Sequence, residues 1–203
     1  MKTVALVAQK GGTGKSTIAV HLAVCASRRK QTVAIVDLDS QGSVASWAAR
    51  RARPDVTVVA ARIQELPRLI QDAKKQGADL VIVDTAGRAD TAAMQVMELS
   101  DVVLIPCRPF INDLEASRQT AAQVKASKAK RAAFVLNAVP HAGTRHEEAR
   151  EALETLLPVC PVHLHQYVAF GDALNDGRSV EELEPEGKAA AEIRRLFRWL
   201  VKL

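Results

Sequence analysis

The segment Gln9-Lys10-Gly11-Gly12-Thr13-Gly14-Lys15-Ser16-Thr17 gathers glycines, two lysines and hydroxyl side chains in an order suited to holding a polyphosphate. Gly11, Gly12 and Gly14 carry no Cβ, so the backbone around Thr13 can take unusual dihedrals and turn several N–H groups toward one anion. A helix opening near Lys15 adds the positive end of its dipole. Lys15 is then the point charge for the outer phosphates, Ser16 offers a hydroxyl to Mg²⁺, and Thr17 is a second hydroxyl candidate. Carboxylates stand at two further places. Leu80-Val81-Ile82-Val83-Asp84 is an apolar strand ending in an acid, and Val36-Asp37-Leu38-Asp39 turns two acids to one side by strand alternation. Asp84 beside a phosphate loop suits a metal, with helix capping as its alternative; Asp37 and Asp39 have the same alternative, as caps for a helix starting near Ser43.

The elements that must position these groups are legible as a repeating pattern. Thr3 to Ala8 is a short, β-branched apolar run, and Ile18 to Ala26 carries apolar residues at helical spacing. Thr32–Val36, Val56–Ala60, Leu80–Val83, Val102–Ile105, Ala133–Leu136 and Val162–Leu164 repeat the strand pattern, with longer helical segments between most of them. This alternation predicts an α/β fold: a single domain over residues 1–203, with a mainly parallel sheet and helices on both faces. The regions of Pro54 and Gly143 read as surface loops. Ligands of such sheets lie beyond the carboxyl ends of the strands, where the glycine loop, Asp37, Asp39 and Asp84 all fall.

A chain of 203 residues can bury roughly 70% of its unfolded surface, so it needs no staple. Cys25, Cys107 and Cys160 are odd in number and widely separated, which fits small buried thiols in a reducing interior and excludes a disulfide scaffold. The start runs directly into a strand without a leader, and no apolar stretch reaches membrane-spanning length; a cytoplasmic location is expected. The net charge is +5. Cations cluster at Arg28-Arg29-Lys30, at Arg50-Arg51 with Arg53, from Lys125 to Arg131, and at Arg194-Arg195 with Arg198 and Lys202. An aromatic content of 3% excludes a base-stacking platform, so any DNA contact is expected on duplex phosphates.

Gln9 occupies a position where the usual phosphate-loop pattern has glycine, and Lys10-Gly-Gly-Thr-Gly-Lys15-Ser resembles instead the deviant Walker A loop of the ParA/MinD family. The resemblance implies a P-loop NTPase-like fold, ATP and Mg²⁺ as cofactors, and a homodimer in which Lys10 reaches the partner's nucleotide. Asp84-Thr85-Ala86-Gly87 takes the form of a Walker B element, with Asp84 on Mg²⁺ through water and Gly87 letting the backbone approach the γ-phosphate. Asp37-Leu38-Asp39-Ser40-Gln41-Gly42 resembles the family's second signature, with Ser40 where proline is more frequent: Asp37 matches the residue supporting Mg²⁺ and Asp39 the one that positions or activates water. Asn137 resembles the residue that contacts adenine, against the alternative of a turn-forming asparagine before Pro140. The later segments Asn175-Asp176-Gly177-Arg178-Ser179-Val180 and Glu184-Pro185 also follow the family, as does Asp113, to which no catalytic role is given.

The implied activity is a slow, partner-stimulated ATP hydrolase whose ATP-bound dimer binds DNA without sequence preference and is associated with the nucleoid. Its cargo would be a plasmid or chromosome carried by a ParB-type centromere-binding adaptor, or a protein cluster or organelle. The chain resembles the small form of these ATPases, without an N-terminal DNA-reading extension. A MinD-like membrane regulator is the rival reading. It rests on the stripe Ile193, Leu196, Phe197 and Leu200 with Trp199, which continues from Lys188-Ala189-Ala190-Ala191 without a flexible linker and therefore reads as docked on the sheet. His163 and His165 share a strand face that could hold a metal, but no acid or thiol lies near them in sequence.

Overall fold

The computed structural model describes residues 1–87 and 91–203. In chain order the elements are β1 (Lys2–Leu6), α1 (Lys15–Ser27), β2 (Val33–Asp37), α2 (Ser43–Arg50), β3 (Thr57–Ala60), a 3-10 turn (Ile63–Glu65), α3 (Leu66–Lys75), β4 (Leu80–Asp84), α4 (Thr91–Leu99), β5 (Val102–Cys107), α5 (Ile111–Ala126), β6 (Ala132–Leu136), α6 (Arg145–Glu154), α7 (Val168–Asn175), α8 (Val180–Leu183) and α9 (Lys188–Lys202). The strands form one sheet in the order β3-β2-β4-β1-β5-β6, and each ladder is parallel. All residues of β4 and β5 are buried, as continuous Val/Ile/Leu runs demand when a sheet is covered on both faces.

Strand alternation divides the core in two. Val4, Leu6, Ile35, Ile82, Leu104 and Val135 face α1, α2, α7 and α9. Ala5, Val7, Val83, Val103, Ile105 and Leu136 face α3, α4, α5 and α6. Helix α1 is buried from Ile18 through Ala26 because the sheet, α8 and α9 surround it, so its apolar residues run all round the helix. The stripe on α9 is spent in this core: Ile193 and Leu196 are fully buried and Leu200 is 1% exposed. The docked reading of the terminal helix therefore holds, and this stripe cannot face lipid without leaving the core.

The expected strand at Val162–Leu164 does not form. Two isolated parallel bridges, Phe134 with Val159 and Val139 with His165, run along the free edge of β6 in its place. Pro158 and Pro161 both precede Val162 and lack the N–H groups that a continuous ladder along this edge needs.

One histidine in the core makes stability pH-dependent. His21 is fully buried on α1, accepts a hydrogen bond from Val180 N–H at its Nδ1, and is held down to about 4 by burial. Between pH 6.5 and 4 the unfolded chain takes up a proton that the folded chain refuses, so this residue's contribution falls as pH falls, by about 3 kcal/mol across the window. Urea unfolding of wild type and His21→Leu should show the slope over that window reduced in the variant; an unchanged slope would contradict the assignment.

Candidate nucleotide site

Register places the acids. Asp84 pairs with Leu6 on one side and Asp37 on the other, so both carboxylates lie at the carboxyl ends of adjacent strands beside the loop that follows β1. That loop turns through Gly12 and Gly14 at φ 73° and 97°, and Gly14 is the left-handed residue from which α1 starts. A Cβ at Gly14 would collide with the Asn137 side chain, whose amide Nδ2 donates to Thr13 O at 2.7 Å. Gly87 abuts the same loop: a Cβ there would sit 3.2 Å from Gly11 N and 3.3 Å from Gln9 O. Gly11, Gly12, Gly14, Lys15, Ser16, Thr17, Asp39 and Gly87 line a cavity of 600 Å³ that extends to Trp47 and Arg50 on α2.

Within this cluster Asp84 is the unsatisfied group. It is fully buried, and among the described residues neither carboxylate oxygen makes a hydrogen bond of ordinary geometry, although the Ser16 hydroxyl faces it. Burial raises it to about 7, with Asp37 and Asp39 adding to the rise and Ser16 and Lys15 opposing it. Lys15, 6% exposed, is lowered by burial while Asp84 and Asp39 hold it up. A buried carboxylate that faces a hydroxyl and a lysine at the start of a helix fits a divalent cation and a polyphosphate together.

The two other acids behave differently. Asp37 is 2% exposed and accepts Asp39 N–H and Ala45 N–H, each at 3.0 Å, so it anchors the first turn of α2. The capping alternative is thus what its hydrogen bonds show, and any support it gives to a metal is added to that duty. Asp39 is partly exposed, accepts Gln41 N–H at 3.0 Å through one oxygen, and lines the cavity. Asn137 commits one of its two Nδ2 hydrogens to Thr13 O, which leaves the second N–H and the amide oxygen for recognition.

Lys10 is turned away from its own glycine loop. Its Nζ lies 2.7 Å from Asp113 Oδ2 on α5, a partner 103 residues distant in sequence. Arg108 holds the same carboxylate. No spacing signal connects these three residues; only the packing of α5 beside the loop does.

The cationic clusters are thinned by pairing. The Arg51 side chain is 4% exposed and bound to Asp55 and Glu182; Arg29 pairs with Glu181; Arg194 binds Pro185 O. Arg28, Lys30, Lys125, Lys128, Arg131, Arg198 and Lys202 remain at the surface, as do Arg53, Lys130 and Arg195, which pair with Glu182, Asp101 and Glu192. The histidines acquire an acid that local sequence lacks: Glu192 of α9 lies 2.6 Å from His165 Nδ1. His141 stacks on the His165 ring at 5.0 Å, His163 meets it edge-on at 4.7 Å, and His146 lies tilted against His163 at 5.0 Å. Cys25, Cys107 and Cys160 are buried free thiols, all raised by burial.

The model of the CobQ/CobB/MinD/ParA nucleotide-binding domain matches residues 4–180. The chain belongs to this family of P-loop ATPases. A carboxysome distribution protein A from Gloeobacter kilaueensis is 33% identical over 97% of this chain and 91% of its own length, and the protein of that name from Halothiobacillus neapolitanus is 28% identical over 94% and 91%. The septum site-determining protein MinD of Pyrococcus horikoshii, solved with Mg-ADP, superposes with a TM-score of 0.83 at 18% identity, over 99% of this chain and 96% of that one. Fold and family therefore agree with the ParA/MinD resemblance carried by the loop. No helix among the described residues of this ParA/MinD-family chain is long and apolar enough to cross a membrane.

Proposed function

We propose that this chain hydrolyses ATP and that ATP closes two copies into a dimer which binds duplex DNA and positions a cargo. The observation that carries the reading is the division of labour between the lysines: Lys15 is buried in its own site, whereas Lys10 points off that site and is held by Asp113 on α5. Mg²⁺, held by Ser16 and Asp84 with Asp37 behind them, would neutralise charge on the outer phosphates. Lys15 and the N-terminus of α1 bind the phosphates, Asp39 orients the attacking water, and the partner's Lys10 completes the charge balance in a site closed to bulk water. Phosphoryl transfer asks little more of a protein than this placement, so turnover depends on dimer formation and is slow without a stimulating partner.

The near-full-length likeness to two carboxysome distribution proteins supports a protein body or organelle as cargo. A plasmid or chromosome carried by a ParB-type adaptor would use the same cycle. The exposed cations of the α5–β6 segment and α9 are the DNA-facing candidates, and they carry no base-reading element. If about four phosphates are neutralised per dimer, raising salt from 50 to 200 mM should weaken ATP-dependent plasmid binding about a hundredfold. Binding that is insensitive to salt would refute the phosphate mechanism, and ATP-dependent pelleting with anionic liposomes in place of DNA would favour a membrane regulator.

A further inference from the structure

Asp113 is a buried anion shared by two cations of different reach. It is 2% exposed, whereas Lys10 and Arg108 are each 32% exposed. Lys10 binds Oδ2 at 2.7 Å; Arg108 binds Oδ1 through Nε at 2.9 Å and Oδ2 through a terminal nitrogen at 3.3 Å. The carboxylate cannot follow a departing lysine. It sits in the first turn of α5, where its N–H donates to Phe110 O and its carbonyl accepts the Ser117 hydroxyl. The three charges stand on the rim of a 680 Å³ cavity that also contains Phe110, Arg145 and Glu148.

Removing the only counter-ion from a buried carboxylate is strongly unfavourable. Here the Arg108 fork keeps both oxygens of Asp113 bonded when Lys10 leaves, so Lys10 can be released without stranding a charge. We propose that Asp113 and Arg108 act as a latch that stores Lys10 on its own chain and sets how readily it is handed to the partner's site. This rests on the reading of Lys10 as a residue that acts in trans. Asp113 is then a positioning residue for the reaction, and Arg108 tunes its hold.

The latch makes opposite demands on its two members, which a merely structural role would not. Asp113→Asn removes the charge that retains Lys10 and should tighten the dimer. Arg108→Ala leaves Lys10 as the remaining cation on Asp113 among the described residues and should loosen the dimer, although Lys10 itself is intact. Because each protomer contributes one lysine, a threefold change in the released fraction becomes about tenfold in the dimer dissociation constant.

The test is sedimentation of the full chain with Mg²⁺ and a non-hydrolysable ATP analogue, for wild type, Lys10→Ala, Asp113→Asn and Arg108→Ala, with thermal unfolding of each as the control for folding. Shifts of about tenfold in opposite directions, with dimerisation lost in Lys10→Ala, are the expected result. Equal or absent shifts in the Asp113 and Arg108 variants, with Lys10→Ala still monomeric, overturn the latch and leave the trans reading standing. A Lys10→Ala protein that dimerises like wild type removes that reading and the latch with it. If Asp113→Asn does not fold, the direction of the Arg108→Ala shift decides alone.

Discussion

Asp84→Asn is expected to abolish magnesium-dependent ATP hydrolysis and, in the same molecule, to make the nucleotide-free protein more stable above pH 7. The two effects have one cause. Asp84 is buried without a hydrogen-bond partner of ordinary geometry among the described residues and is raised to about 7. Between its ordinary value near 3.8 and 7 the folded chain holds a proton that the unfolded chain has lost, so this residue's contribution to stability falls as pH rises and is fully lost above the folded value. The cost of the ionised form is about 4 kcal/mol at most. Asparagine removes it but offers a metal no negative charge. Denaturant unfolding at pH 5 and pH 8, with and without Mg²⁺ and nucleotide, should show the variant gaining chiefly at pH 8 and gaining less than wild type from added ligand. A variant less stable than wild type at pH 8, or one that still hydrolyses ATP, would contradict the assignment. The slope from Asp84 opposes that from His21 in the acid range, so the single variants are needed to separate them.

Asp39→Ala should lower ATP turnover by at least about a hundredfold while leaving nucleotide binding near wild type. The side chain bonds the backbone of its own turn through one oxygen, it is not a core residue, and Lys15 with the glycine loop remains in place to hold phosphate. The ATP-bound dimer should therefore accumulate and stay on DNA. Single-turnover hydrolysis beside equilibrium nucleotide binding separates the two effects. Undiminished turnover would remove Asp39 from the chemistry, and a parallel loss of binding would make it a binding group instead.

Much of this site was legible because its parts are local. The glycine loop, the strand ending at Asp84 and the pair at Asp37 and Asp39 are each a short run whose residue types dictate both the element and the chemistry, and parallel-sheet topology then brings their carboxyl ends together. Contacts made by packing carried no such signal. Lys10 and Asp113 meet across 103 residues, and Arg51 leaves its basic run to join Asp55 and Glu182. In sequence Asp37 matches a metal-supporting acid with capping as the alternative, and its two backbone hydrogen bonds make it an anchor for α2 first. Val162–Leu164 has the apolar pattern of a strand, but Pro158 and Pro161 just before it interrupt the ladder, so only isolated bridges form along this edge. The terminal stripe was decided by continuity with the preceding helical residues, and the core confirms that it docks.

The most direct test of the dimer cycle is the molar mass of the purified chain, by light scattering, with Mg²⁺ and ADP, with Mg²⁺ and ATP, and with Mg²⁺ and ATP after Lys10→Ala. The mechanism predicts monomer with ADP, dimer with ATP, and monomer again in the variant even though it still binds ATP. A dimer that forms with ADP, or that forms with ATP in the absence of the Lys10 charge, would contradict it.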